Sequence, residues 1–158
     1  MAISQVVTNS IAPGAVVQAD LATGVAGTGP AFSAYQTASQ TITANSYTKV
    51  TFDVEDFDTN NNFASSRFTP TVAGYYQING NCGVTAFALV GIFKNGSEYR
   101  RGAQVGTNGV LLQSPVSTIV YLNGSTDYIE LYIYCSTTNG TVNTAQSTWL
   151  NGVLVRSA

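Results

Sequence analysis

No histidine occurs in the chain, and only 9% of its 158 residues are charged, against a usual ~25%. Histidine general bases and histidine metal ligands are thereby excluded. Six Lys and Arg against eight Asp and Glu leave a net charge of −2. So few cations, spread along the chain, cannot neutralise a run of phosphates, so no nucleic-acid partner is expected. No apolar run approaches the ~18 residues of a membrane span, so no membrane insertion is expected. The start, Met1-Ala2-Ile3-Ser4-Gln5, has no basic stretch leading into an apolar one, so no signal peptide is expected. Intrinsic disorder is excluded too, because it needs high charge and low hydrophobicity, and 44% of these residues are hydrophobic.

Cysteine is scarce as well. Cys82 and Cys135 are too few for a disulfide scaffold, and neither has a C-x-x-C partner. Each lies in an apolar run. Two buried free thiols acting as small hydrophobes are favoured over a bridge.

Helical periodicity is nearly absent. Thr, Val, Tyr, Ile and Phe dominate the apolar set, and turn signals recur about every ten residues, the pattern of an all-β sandwich or barrel. Strands are expected over residues 31–37, 46–53, 63–69, 74–85, 87–94, 98–104, 110–122, 128–135 and 147–156, with Pro115 bending or splitting the run that holds it. Asn-Gly pairs at 95–96, 108–109, 123–124 and 139–140 predict two-residue hairpin turns. Inside strand-like runs, Gly80 and Gly152 are read as bulges or close approaches. Along 74–85, Tyr76, Ile78, Cys82 and Val84 share one face and Tyr75, Gln77, Asn79 and Asn81 the other.

Residues 1–29 differ from the rest, with no aromatic and one charge, Asp20, and they end in a Gly/Thr/Ala-rich stretch. A boundary near Gly29–Pro30 follows, giving an extended arm, 1–29, and a β domain, 30–158.

The segment Asp53-Val54-Glu55-Asp56-Phe57-Asp58 carries four of the eight acidic residues. As a loop it has two readings. Asp53, Glu55, Asp56 and Asp58 converge on Ca²⁺, a hard cation that takes six to eight oxygens, or they are a solvated turn, which is favoured. Catalysis is not expected. There is no Gly-x-Ser-x-Gly, no phosphate loop and no histidine to activate a Ser or Cys nucleophile. Glu98, Asp127 and Glu130 supply carboxylates of the kind a glycosidase pairs, but nothing singles them out. No cofactor is expected beyond that Ca²⁺. Three Asn-Gly-Ser/Thr sequons coincide with Asn-Gly turns, which already account for them. Nine Tyr and seven Phe suit either a sandwich core or a self-association surface.

From Ala31 onward the chain resembles the C1q-like globular-head domain of the tumour-necrosis-factor-like jelly-roll superfamily. Phe52, Asp58 and Phe63 fit F-x5-[ND]-x4-[aromatic], and Phe68, Gly74 and Tyr76 fit F-x5-G-x-Y. Ala31-Phe32-Ser33-Ala34, Phe93-Lys94-Asn95-Gly96, Leu122 to Leu131 and Ser147 to Val155 fall in the family's order. The spacing from Phe63 to Phe68 is two residues short, Ile78 replaces a phenylalanine and Gly80 an aromatic. The overlap is about four-fifths of the chain. The resemblance implies an antiparallel C1q/TNF-like jelly-roll sandwich and a homotrimer, with Tyr75, Gln77 and Asn79 turned to the neighbouring subunits and Leu150 a further interface residue. Ligand specificity is not implied, because it resides in variable loops.

Ile11 to Ala22 resembles a short repeat unit of bacteriophage fibre shafts. Three copies can bury Ile11, Val16, Val17 and Leu21 against one another, making an anchor to other virion proteins; the alternative is a disordered linker. The implied protein is a homotrimeric virion knob, a head fibre, capsid decoration or short tail-fibre tip. It would be assembled in the host cytoplasm and exposed on the virion, with loops 53–62 and 137–144 free to touch a host surface glycan. A soluble C1q-like carbohydrate-binding module outside any particle is the alternative. An enzyme acting on surface polysaccharide is the third reading.

Overall fold

The computed structural model describes residues 29–106, 109–137, 140–142 (backbone alone) and 147–158. The arm residues Ile11, Val16, Val17 and Leu21 lie outside them. The described residues form thirteen strands: β1 (Ala31–Tyr35), β2 (Gln40–Ile42), β3 (Tyr47–Lys49), β4 (Val54–Asp58), β5 (Phe63–Ala64), β6 (Arg67–Phe68), β7 (Ala73–Val84), β8 (Ala88–Lys94), β9 (Ser97–Val105), β10 (Leu112–Asn123), β11 (Ile129–Cys135), β12 (Gly140–Val142) and β13 (Trp149–Ser157). One sheet runs β2-β12-β7-β13-β1-β4, with β10 also paired to β7; the other runs β5-β6-β11-β8-β9, with β3 also paired to β11. All the strand pairings are antiparallel.

The core lies between the sheets and follows the two-residue alternation of the strands. Tyr76, Ile78, Cys82 and Val84 on β7 are buried, as are Ile129, Leu131, Ile133 and Cys135 on β11. The aromatic positions that carried the family resemblance meet here. Phe32 stacks on Phe68 at 4.3 Å between ring centroids and on Phe63 at 4.9 Å, and Tyr76 meets Phe68 edge-on at 5.5 Å. The Tyr76 hydroxyl donates to the Val72 carbonyl at 2.7 Å, so this buried phenol is not left unpaired. At Gly80 the missing side chain matters: a Cβ would lie 2.6 Å from Leu131 Cδ1. The opposite sheet thus fills the space where the family pattern has an aromatic. Both cysteines are free and buried, and burial pushes both thiols up.

Five expectations are corrected. Residues 63–69 are not one strand but a tight hairpin, β5–β6, turning at Ser65 and Ser66, both with φ above 50°. Neither is Asn or Gly, so no signal marked the turn; the Ser66 hydroxyl accepts from the Phe52 amide at 2.8 Å and holds it. Residues 54–58 are not a loop but strand β4, paired with β1. Residues 140–142, inside an expected loop, pair with β2. Pro115 neither splits nor bends β10 out of register, because every residue from Leu112 to Asn123 pairs with β7, and among the described residues β10 has no other partner in its sheet. An edge position tolerates the missing donor. The Asn95–Gly96 turn between β8 and β9 is a hairpin as expected, with φ of 52° and 78°; Asn123–Gly124 is not, because β10 and β11, which it joins, lie in different sheets.

Candidate functional site

The acidic segment does not converge. Asp53 accepts from the backbone amide and hydroxyl of Thr37, Asp56 from the Ser33 hydroxyl at 2.8 Å, and Asp58 from the Phe63 amide at 2.7 Å. The Thr37 hydroxyl and amide bonds hold the Asp53 carboxyl below its ordinary range. The register of β4 shifts opposite Ser33 and Ala34, and Asp53, Asp56 and Asp58 are each taken by a different partner rather than turned to one ion. Among the described residues no three Asp, Glu, Cys or His group as a metal would need. A chelator should therefore leave the thermal midpoint unchanged in a melting scan. A site loaded at a hundred times its Kd would instead contribute about 2.7 kcal/mol, a shift of several degrees.

Two surfaces concentrate chemistry. The first is the outer face of the larger sheet. On β7, Tyr75, Gln77 and Asn79 point away from the core, and register puts Tyr121, Ile119 and Ser117 of β10 beside them. From the other side β13 brings Val153 beside Gln77 and Asn151 beside Asn79. Gln77 Nε2 donates to Ser117 Oγ at 2.8 Å and to Asn79 Oδ1 at 3.0 Å, and Asn79 Nδ2 donates to Asn151 Oδ1 at 3.0 Å. These amides are thus satisfied within the sheet. Beside them lies a contiguous apolar patch of Tyr75, Ile119, Tyr121, Val153 and Val155, with Tyr75 47% and Ile119 53% exposed. A depression of about 550 Å³ there is lined by Tyr75, Ile119, Val155 and the last three residues.

Leu150 is corrected. It is 0% exposed and belongs to the core, where it faces Gly80 from the next strand. On β13 the outward positions are Val153 and Val155, of the opposite parity. Sequence reasoning missed these two, and Ile119 and Tyr121; alternation along 110–122 was the signal available for the latter pair.

The second surface is the outer face of the smaller sheet. Glu130 on β11 is 2% exposed, although its neighbours Ile129 and Leu131 take the inward face. Its Oε1 accepts from Lys49 Nζ at 2.7 Å and Arg67 Nε at 2.9 Å, and its Oε2 from the Tyr132 hydroxyl at 3.3 Å. Burial alone would raise the Glu130 pKa; the bonds from Lys49 and Arg67 outweigh it and hold the carboxyl below its ordinary value. The Arg67 guanidinium lies 3.8 Å over the Tyr128 ring, and Tyr132 packs on Phe93 at 4.2 Å. Of the three carboxylates the sequence offered for catalysis, Glu98 pairs with Arg101 and Asp127 with Lys94; register sets Glu98 and Glu130 on either side of Phe93, each with its own cationic partner.

No sequence-family model matches the chain, and no curated protein matches it by sequence. Solved structures do match. The globular domain of zebrafish complement 1qA protein superposes with a TM-score of 0.69 at 16% identity, over 82% of this chain and 100% of that one. Murine APRIL matches with a TM-score of 0.58 at 11% identity, over 80% of this chain and 98% of that one. Eiger, a TNF from S. frugiperda, matches with a TM-score of 0.53 at 7% identity, over 82% and 95%. Together with the two antiparallel sheets and the aromatic core, these likenesses establish that the chain has the C1q/TNF-like jelly-roll fold.

Proposed function

We propose that the protein is a homotrimeric jelly-roll knob of a bacteriophage virion, a non-enzymatic binding protein displayed on the particle for attachment to the host surface. One observation carries the trimer: the apolar patch of Tyr75, Ile119, Tyr121, Val153 and Val155 on the outer face of the larger sheet. Contiguous apolar surface of this kind marks a contact with another macromolecule. A second copy is the occupant the jelly-roll resemblance implies, because a rotational axis lets the same face of every copy be covered. The virion reading rests on the fibre-like segment Ile11 to Ala22, with the arm 1–29 joining the knob to other virion proteins. Three rigidly held copies turn weak individual contacts into avid attachment.

Light scattering on the full-length chain should return about three times 16.6 kDa. A monomer would overturn the trimer and its avidity. Deleting residues 1–29 should leave a knob that still trimerises but no longer joins particles. Incorporation unchanged by the deletion would remove the arm as the anchor, and absence of the full-length chain from purified particles would leave the soluble carbohydrate-binding module as the better reading.

A further inference from the structure

Beside the Glu130 network runs a groove of about 460 Å³, lined by Lys49, Asn61, Ser65, Arg67, Thr69 and Thr71 among its eight residues. That volume falls within the ~300–1,000 Å³ of small-ligand sites. Apart from Ala64, its lining is polar: hydroxyls, amides and two cations. The floor is braced. Asn62 is buried, donates to the Asn60 carbonyl at 3.1 Å and accepts from the Thr71 amide at 3.2 Å, which fixes the turn against the strand that follows.

The charge is not neutral. Lys49 and Arg67 share a single carboxylate, that of Glu130, so the network keeps one positive charge on a chain whose net charge is −2. Arg67 spends only its Nε on Glu130. Among the described residues no hydrogen bond engages its two terminal amino groups, while stacking over Tyr128 holds the guanidinium plane. A planar fork of donors held this way matches a carboxylate in two-point geometry.

We propose that this groove binds a carboxylated sugar, such as a uronic or sialic acid residue of a surface polysaccharide. The carboxylate sits on the terminal amino groups of Arg67 and on the Lys49 ammonium. The ring hydroxyls exchange hydrogen bonds with Asn61, Ser65, Thr69 and Thr71. The lining decides between anions. Hydroxyls and amides both donate and accept, as sugar hydroxyls do. A phosphate brings at most one or two donors and leaves most of the acceptors of the groove unanswered. The proposal takes its biological meaning from the attachment reading above, but binding at one protomer does not depend on assembly.

The test is calorimetric titration of the full-length chain with three short probes, trigalacturonate, trimannuronate and sialyllactose, and with the neutral methyl ester of whichever binds. The expected result is one saturable site per protomer, about tenfold or more weaker for the ester and weakened by salt. Arg67→Gln should lose about tenfold or more. Arg67 also braces Glu130, so a second variant guards against a folding artefact. Asn61 has a φ of 52°, which glycine adopts freely. Asn61→Gly should therefore melt no lower than the parent, yet bind about threefold or more weaker. The site is overturned if none of the three probes binds, if the ester binds as well as the acid, if inorganic phosphate alone binds as tightly, or if neither variant changes affinity. Light scattering on the same sample separates the two readings: a trimer that binds none of the probes overturns this site and not the assembly, and a monomer that binds supports the site and overturns the assembly.

Discussion

Ile119→Asp should reduce the assembly from about three times 16.6 kDa to one protomer without unfolding it. In the protomer this side chain is already 53% exposed, so a carboxylate there stays hydrated and changes protomer stability by only about 0.5 kcal/mol. In the trimer it would be desolvated. Burying isoleucine contributes about 1.5–3 kcal/mol, and burying an unpaired carboxylate costs several. Gln77, its partner across the face, is uncharged; Arg156 lines the same depression and offsets only part of that cost. The swing of about 5 kcal/mol per copy is more than a thousandfold in each contact, and symmetry repeats it in every subunit. Light scattering and a protomer circular-dichroism spectrum check both halves. An Ile119→Asp chain with unchanged mass would move the interface to another face.

Glu130→Gln should destabilise the fold by about 2 kcal/mol, or roughly 4–8 °C in thermal midpoint for a chain of this size. Breaking a fully buried ion pair costs about 3–5 kcal/mol. Here the carboxylate is 2% exposed, but the Lys49 and Arg67 side chains are 29% and 43% exposed. Once released they turn to water, which lowers the penalty. The same group makes stability fall in acid. Its folded pKa lies below the ordinary glutamate value, so its contribution is complete above about pH 4.3, the unfolded value, and is lost as pH falls from there through the folded pKa. Urea titrations between pH 7 and pH 3 should show a shallower acid decline in Glu130→Gln than in the parent. Parallel declines would mean that the carboxylate contributes nothing.

Local periodicity told which way side chains point, because successive residues of a strand leave opposite faces. That is why Tyr76, Ile78 and Cys82 were expected inside and Tyr75, Gln77 and Asn79 outside, as they are. The spacing of Phe52, Phe63, Phe68, Gly74 and Tyr76 pointed to the jelly roll, and four of these residues, with Phe32, make the aromatic centre of the core. Where the reading came from the resemblance alone, with no alternation along its own strand to anchor it, it slipped. Leu150 was placed at the interface when the outward positions of its strand are Val153 and Val155. The acidic run 53–58 looked like a loop because its composition is polar, yet β1 takes it as a paired strand and sends its carboxylates to separate partners.

The sequence by itself determined the class of the protein: an all-β chain without histidine and with few charges, and one hairpin turned by Asn95–Gly96. These are properties of composition and of nearest neighbours along the chain. Only the tertiary structure decided which strands lie side by side, and with that where the chemistry sits. Lys49 and Arg67 reach Glu130 from 81 and 63 residues away, and Ile119 and Val153 come to either side of Gln77 because β10 and β13 flank β7. Alternation assigns a residue to a face; the register of distant strands assigns its neighbours, and no local pattern encodes that register.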